Sequence, residues 1–142
     1  MFVGTHRVRV DEKGRLAIPV QFRKQLTEGT HISIGPENVL TIYPPEQWQA
    51  LLDRLTSPLP NAETRALSRA LFSMASACEF DGQGRVTLTQ EQRRLAGIDP
   101  RSTVAVVGSG SRVEIWPEPN WEPYSEDARG RFTELADKLE AR

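Results

Sequence analysis

Two five-residue stretches carry the side chains best placed to do chemistry: Asp11-Glu12-Lys13-Gly14-Arg15 and Asp81-Gly82-Gln83-Gly84-Arg85. In each, a carboxylate and a guanidinium stand four positions apart around a glycine, the residue that turns a chain tightly without steric cost. A carboxylate so placed can accept backbone N–H groups of the turn and pair with the guanidinium. Two readings follow. In the first, Asp caps the turn, Gly supplies left-handed backbone and Arg folds back on Asp, so the stretch only shapes the fold. In the second, an arginine held by a carboxylate is preorganised to offer its remaining donors to a phosphate or a base edge. Exposed ion pairs stabilise by only about 0–1 kcal/mol, so stability is a weak reason to carry the pair twice. The first reading suits Asp11, Gly14, Asp81 and Gly84 as turn-structuring residues; the second suits Arg15. Lys13 adds a flexible charge that Gln83 replaces in the second stretch, so the two turns are expected to be unequal, the first being the stronger anion contact.

Both turns belong to a longer repeat. At an offset of 70, Asp11 to Gln25 overlies Asp81 to Leu95, matching Ile18 with Leu88 and Arg23 with Arg93, and Phe2 upstream meets Phe72. The offset then becomes 73, and Gly35, Ile42, Pro44 and Trp48 meet Gly108, Ile115, Pro117 and Trp121, with Tyr43 and Trp116 keeping an aromatic position. Chance does not supply an ordered series of matches across both halves. The three-residue length difference falls between Leu26 and Gly35, where a loop would absorb it.

The elements that must position these turns can be read from periodicity. Thr5 to Val10 alternates, Val8 and Val10 facing one way and Arg7 and Arg9 the other, as in a half-exposed strand. Leu16-Ala17-Ile18 is a second strand stopped by Pro19. Gln21 to Gln25 is a short helical turn, and His31 to Gly35 with Val39 to Tyr43 forms a hairpin. The second copy repeats that hairpin with Val104 to Val107 and Val113 to Trp116, so both copies read β-β-short α-β-β. Between them, Trp48, Leu51, Leu52 and Leu55 mark a helix ended by Ser57-Pro58-Leu59-Pro60. Asn61 caps the next helix, with Leu67, Leu71 and Met74 as its buried stripe. A last amphipathic segment, Phe132, Leu135, Ala136 and Leu139, follows Ser125 as a cap; all three stripes are expected to make core or subunit contacts. The expected organisation is a first module over 5–47, linking helices over 48–75, a second module over 76–119 and a helical tail over 120–142, giving a β-rich α+β fold.

Bulk properties narrow the function classes. At 142 residues, with 38% hydrophobic and 26% charged residues, the chain suits one globular domain or two small intertwined ones. No stretch approaches the roughly 20 apolar residues of a membrane span, and the start lacks a secretory apolar run, so the expected compartment is the cytoplasm. The lone Cys78 cannot form an intrachain disulfide, in keeping with a reducing environment. Net charge is −1, but residues 1–27 hold six basic against two acidic residues, whereas 117–142 hold four basic against seven acidic. A basic head and an acidic tail suggest a polar partner at the head.

The motifs Met1-Phe2-x-Gly4, Asp11-x-Lys13-Gly14-Arg15-x-x-x-Pro19 and Asp81-x-x-Gly84-Arg85 resemble the MraZ family of bacterial transcriptional regulators, built from two SpoVT-AbrB-like modules. The resemblance runs from Met1 to about Trp121. It implies a swapped-hairpin or double-psi-type barrel with the copies related by a pseudo-twofold axis. It also implies ring-shaped homo-oligomers, nucleoid association, and binding to short direct repeats of double-stranded DNA in the promoter of a cell-division and cell-wall operon. The family's Asp-x-x-x-Arg motif carries over to Asp11/Arg15 and Asp81/Arg85. The family's basic middle residue survives only as Lys13, leaving open whether the second turn touches DNA. The expected DNA contacts are therefore Arg15 and Lys13, assisted by Arg7, Arg9 and Arg85. No recognition helix, zinc-finger spacing or aromatic RNA-binding motif is present, so readout is expected from strands and loops.

Rival readings fare worse. Two aspartates about a pseudo-twofold evoke an aspartic-protease dyad, but an arginine four residues after each would keep it ionised. Cys78 has no histidine near it in sequence, and His6 and His31 stand apart, so no catalytic residue, metal site or cofactor is expected. Gly108-Ser109-Gly110 lacks the Lys-Ser/Thr of a phosphate loop and reads as a hairpin turn. The nearer rival is an AbrB-like antitoxin acting as a protein-interaction module, although such chains usually carry one module and a disordered tail.

Overall fold

The computed structural model describes residues 1–56 and 61–142; the expected helix stop at 57–60 lies outside them. The first copy runs β1 (Thr5–Arg9), β2 (Arg15–Ala17), α1 (Val20–Arg23), β3 (His31–Ile34), β4 (Leu40–Tyr43). Two helices follow, α2 (Pro45–Leu55) and α3 (Ala62–Ser73). The second copy runs β5 (Ser76–Ala77), β6 (Arg85–Thr87), α4 (Gln90–Ala96), β7 (Thr103–Gly108), β8 (Val113–Pro117), and the chain ends with α5 (Glu118–Gly130) and α6 (Phe132–Glu140). The fold is mixed α+β, and the β-β-α-β-β order recurs in both halves.

Strand pairing is where the two copies become inseparable. The large antiparallel sheet has the order β1-β7-β8-β4-β3-β5, and a separate ladder joins β2 to β6. Its centre is two hairpins, β3–β4 and β7–β8, joined by Leu40 opposite Ile115 and Ile42 opposite Val113. The outer strands cross over. β1 lies on β7 of the second copy, from Thr5 opposite Val107 to Arg9 opposite Thr103, and β5 lies on β3 of the first. The Asp-to-Arg turns are present, with Asp11 N–H donating to Arg15 C=O at 2.8 Å, but the strands they join do not form a local hairpin ladder. Each instead pairs with the other copy.

One core serves both halves. Val10, Leu16, Ile18, Phe22, Ile32 and Ile42 of the first copy pack with Val86, Leu88, Val104, Val106, Val113 and Ile115 of the second. Ile18 and Leu88, matched in the repeat, are both buried. Fully burying a side chain of this size stabilises by about 1.5–3 kcal/mol, so the shared cluster dominates the apolar contribution to stability. A second cluster, Tyr43, Trp48 and Leu71, joins α2 and α3 to the sheet.

The helices depart from expectation in two places. Asn61 does cap α3, its Oδ1 accepting the Thr64 N–H at 2.7 Å, but Leu67 is 58% exposed and only Leu71 of that stripe is buried. Ser125 is not a cap: it lies buried inside α5, where its hydroxyl donates to Glu122 C=O. Pro123 also sits inside α5, forgoing one backbone bond that a helix tolerates at a cost. The α6 stripe, expected to meet either the core or another subunit, lies outside the core of this chain, with Phe132 71% and Leu139 65% exposed. The three-residue length difference falls in the connection, as expected: α4 ends at Ala96, the repeat partner of Leu26, and residues 97–103 then lead to Val104 where residues 27–30 lead to its partner His31. Among the described residues, no helix is long and apolar enough to cross a membrane.

Candidate nucleic-acid interface

The two turns are built alike, atom for atom. Asp11 Oδ1 accepts the backbone N–H groups of Lys13 and Arg15 at 2.9 Å each, and Asp11 Oδ2 accepts Arg15 Nε–H at 2.7 Å. Asp81 Oδ1 accepts from the Gln83 and Arg85 amides at 2.9 Å, and Asp81 Oδ2 from Arg85 Nε–H at 2.8 Å. Gly14 and Gly84 have φ of +80° and +74°, the left-handed backbone that lets the chain reverse beneath the carboxylate. The bonds hold both carboxyls below the ordinary carboxylate range. The Arg15 amide is the largest cause for Asp11, and the Arg85 amide for Asp81. Both groups are therefore ionised at neutral pH, which fixes each arginine by its Nε and leaves its terminal nitrogens to point elsewhere.

The fold brings the turns side by side. The β2–β6 ladder sets Ala17 opposite Arg85 and Arg15 opposite Thr87. Gly14 C=O accepts from Leu88 N–H at 2.9 Å, and Gly84 C=O from Ile18 N–H at 3.2 Å, so each turn is stitched to the strand end of the other copy. Arg85 Nη1 comes within 3.8 Å of Asp11 Oδ2, so the first carboxylate stands between two guanidiniums. Arg15, Arg85 and Lys13 thus share one patch: the side chains of Arg15 and Arg85 are about 30% exposed and Lys13 is exposed.

The other expected contacts are placed differently. Arg7 lies across from α5, paired with Glu118 at 3.3 Å and with Glu122. Its charge is thereby committed within the chain. Arg9 is exposed on the same face of β1 and, like Lys13, has no side-chain ion pair among the described residues. Glu12 pairs with Arg101 at 2.8 Å beside the first turn. Two functional candidates escaped the sequence reading: Arg23 and Arg93 lie directly against the opposite turn glycines. Their alignment in the repeat was the available signal, but only the fold shows what each touches.

Burial pushes the Cys78 thiol up to about 12, so it is protonated at neutral pH. His31 stacks on Trp48 at 4.7 Å, and His6 meets the edge of Phe22 and the amide of Gln21. Among the described residues, no three His, Cys, Asp or Glu side chains cluster as a metal site would need.

Both halves match one family model, described as "MraZ protein, putative antitoxin-like", over residues 1–70 and 71–142. The chain belongs to the MraZ family. Proteins named Transcriptional regulator MraZ resemble it along nearly their whole length. That of Moorella thermoacetica is 39% identical over 140 residues, covering 98% of this chain and 96% of the relative. That of Alkaliphilus metalliredigens is 36% identical over 141 residues, covering 99% and 97%. Two MraZ repeats in one chain agree with the duplicated turns.

Proposed function

We propose that this protein is a transcriptional regulator that binds double-stranded DNA sequence-specifically through the paired Asp-x-x-x-Arg turns. One observation carries the reading: two guanidiniums, each locked by a carboxylate at its Nε, stand in a single exposed patch with Lys13 beside them. An arginine fixed in this way presents planar donors suited to a phosphate or the edge of guanine. The names of the relatives support a regulator of transcription. Arg15 and Lys13 are the principal contacts, and Arg85 joins them, a reading supported by its Nη1 lying 3.8 Å from Asp11 Oδ2. Arg9 extends the basic surface, and Arg7 assists once released from α5. The two interlocked modules would form the AbrB-like swapped-hairpin barrel.

A patch this small binds weakly by itself. Several copies on short direct promoter repeats, such as those of a cell-division and cell-wall operon, would gain about 10²–10⁴ in avidity if the spacing matches. The exposed apolar stripe of α6 supports a homo-oligomer, a ring being the arrangement we favour, and such a protein would work in the cytoplasm at the nucleoid. Fluorescence anisotropy on the promoter upstream of its own gene, at several salt concentrations, tests the reading. Wild-type protein should show a log–log salt slope of several units, as about one unit is contributed per phosphate neutralised. Arg15→Ala should abolish most specific binding, while Glu126→Gln in the acidic tail should leave it unchanged. Unchanged affinity in Arg15→Ala, with a lowered melting temperature, would return the turn to a purely structural role. The family description as antitoxin-like favours a second reading, a protein-interaction module, which native mass spectrometry of the purified protein would reveal as a stoichiometric foreign subunit.

A further inference from the structure

A methyl group built on Gly14 would lie 2.6 Å from Arg93 Nε and 2.8 Å from its Cζ. One built on Gly84 would lie 2.5 Å from Arg23 Nη1 and 2.6 Å from its Cζ. Each guanidinium therefore occupies the space that a side chain on the opposite copy's turn glycine would fill. The two contacts are reciprocal, and Arg23 and Arg93 are partners in the repeat. They differ in their anchoring. Arg23 Nε donates to Ile18 C=O of its own copy at 2.8 Å, whereas Arg93 Nε is buried with no hydrogen-bond partner. A buried donor left unpaired is not there for the hydrogen bond at that atom, since it loses hydration without replacement. The Arg93 guanidinium lies instead against the first copy's turn.

We propose that Arg93 and Arg23 are positioning residues, each bracing the turn of the other copy, so that Arg93 sets the placement of Gly14 and Arg15 and Arg23 sets that of Gly84 and Arg85. The inference rests on the DNA-binding reading only for its consequence, because the brace itself is a property of the free protein. Each copy's contact arginine is then held from two sides, by its own aspartate at Nε and by the other copy's guanidinium beneath the glycine. Neither module can present its turn correctly alone.

Amide hydrogen exchange measured by NMR on the free, full-length protein separates the brace from the function. Arg93→Ala should speed exchange of the Arg15 and Leu88 amides about tenfold or more, leaving the Arg85 and Ile18 amides nearly unchanged. Arg23→Ala should produce the mirror pattern. Arg93→Lys retains the charge and not the flat face, and should behave as Arg93→Ala does; if lysine restores protection, charge and not packing is responsible and the brace is wrong. Arg93→Met, which keeps the volume of the stem, replaces the alanine variant if that fails to fold. Uniform acceleration across the protein, or none, also overturns the proposal. On DNA, Arg93→Ala should lower affinity about tenfold without altering the salt slope, and should add little in an Arg15→Ala background. A slope reduced by about one unit would make Arg93 a direct phosphate contact instead of a positioning residue. If the exchange pattern holds and wild-type protein binds no DNA, the brace stands and the proposed function falls.

Discussion

Asp11 accepts three hydrogen bonds from its own turn and stands between Arg15 and Arg85, so its charge organises more of the patch than that of any neighbour. Asp81 accepts the matching three, and these bonds hold both carboxyls below the ordinary carboxylate range in the folded protein. The sign of the pH effect follows. As pH falls, the unfolded chain takes up these protons first, so the turns contribute fully above the ordinary carboxylate range and lose that contribution as pH drops through the lowered folded values. Melting temperature should therefore fall from about pH 5 to about pH 3, and Asp11→Asn should show a shallower fall than wild type. An equal slope in the variant would mean that other acids set the acid limit. These turns were legible in the sequence because every partner of Asp11 within its own turn lies within four residues. Arg93 was not, since nothing in a local pattern tells an arginine in a short helix that it will lie on a glycine 79 positions earlier.

Helix α4 shows how a short element can tie several others together. Thr89 Oγ1 accepts the Gln92 N–H and Gln92 Oε1 accepts the Thr89 N–H, at 3.0 Å each, a reciprocal cap at the helix start. The two hydrogens of Gln92 Nε2 are shared among Met74 C=O at 2.8 Å, Ser76 Oγ at 3.0 Å and Ile32 C=O at 3.3 Å. One fully buried side chain thus links α4 to the end of α3, to β5 and to β3. Thr89→Ala should cost about 1 kcal/mol through the lost cap. Gln92→Ala should cost more, about 2–4 kcal/mol, because it strands buried carbonyls as well. Urea denaturation with an unchanged m value would verify both, and equal losses in the two variants would mean that the cross-element bonds carry little. Helix ends were only partly readable. Asn61 stands before a periodic run and caps it, but Ser125 precedes one without capping, because α5 had already begun at Glu118. Periodicity likewise identified α6 without telling what its apolar face would meet.

The molecule as a whole is two copies that cannot be taken apart along the sequence. The order of elements was readable because alternation and turn residues are local, and the offset of 70 to 73 exposed the duplication. Partner choice was not readable, because alternation assigns a strand a buried face and leaves its neighbour undetermined. Cutting the chain between α2 and α3 is therefore expected to leave two fragments without stable monomeric structure. Without the second copy, β1 has no β7 and β2 has no β6; without the first, β5 has no β3. Mixed together, the fragments should regain the circular dichroism of the intact protein, and the intact protein should unfold in one transition by calorimetry. Two separable transitions, or a first half that is folded and monomeric alone, would refute that.

The pairing of β1 also has a consequence in time. Thr5 meets Val107 and Arg9 meets Thr103, partners that leave the ribosome roughly 100 residues later. At a synthesis rate of about 5–20 residues per second, the first strand waits on the order of 5–20 s before its neighbour exists. Throughout that interval it is an unpaired edge, the kind of surface that recruits other chains, and Arg7 and Arg9 are the sort of charges that discourage such recruitment. Those two charges would thus shield each newly made chain before its sheet can close.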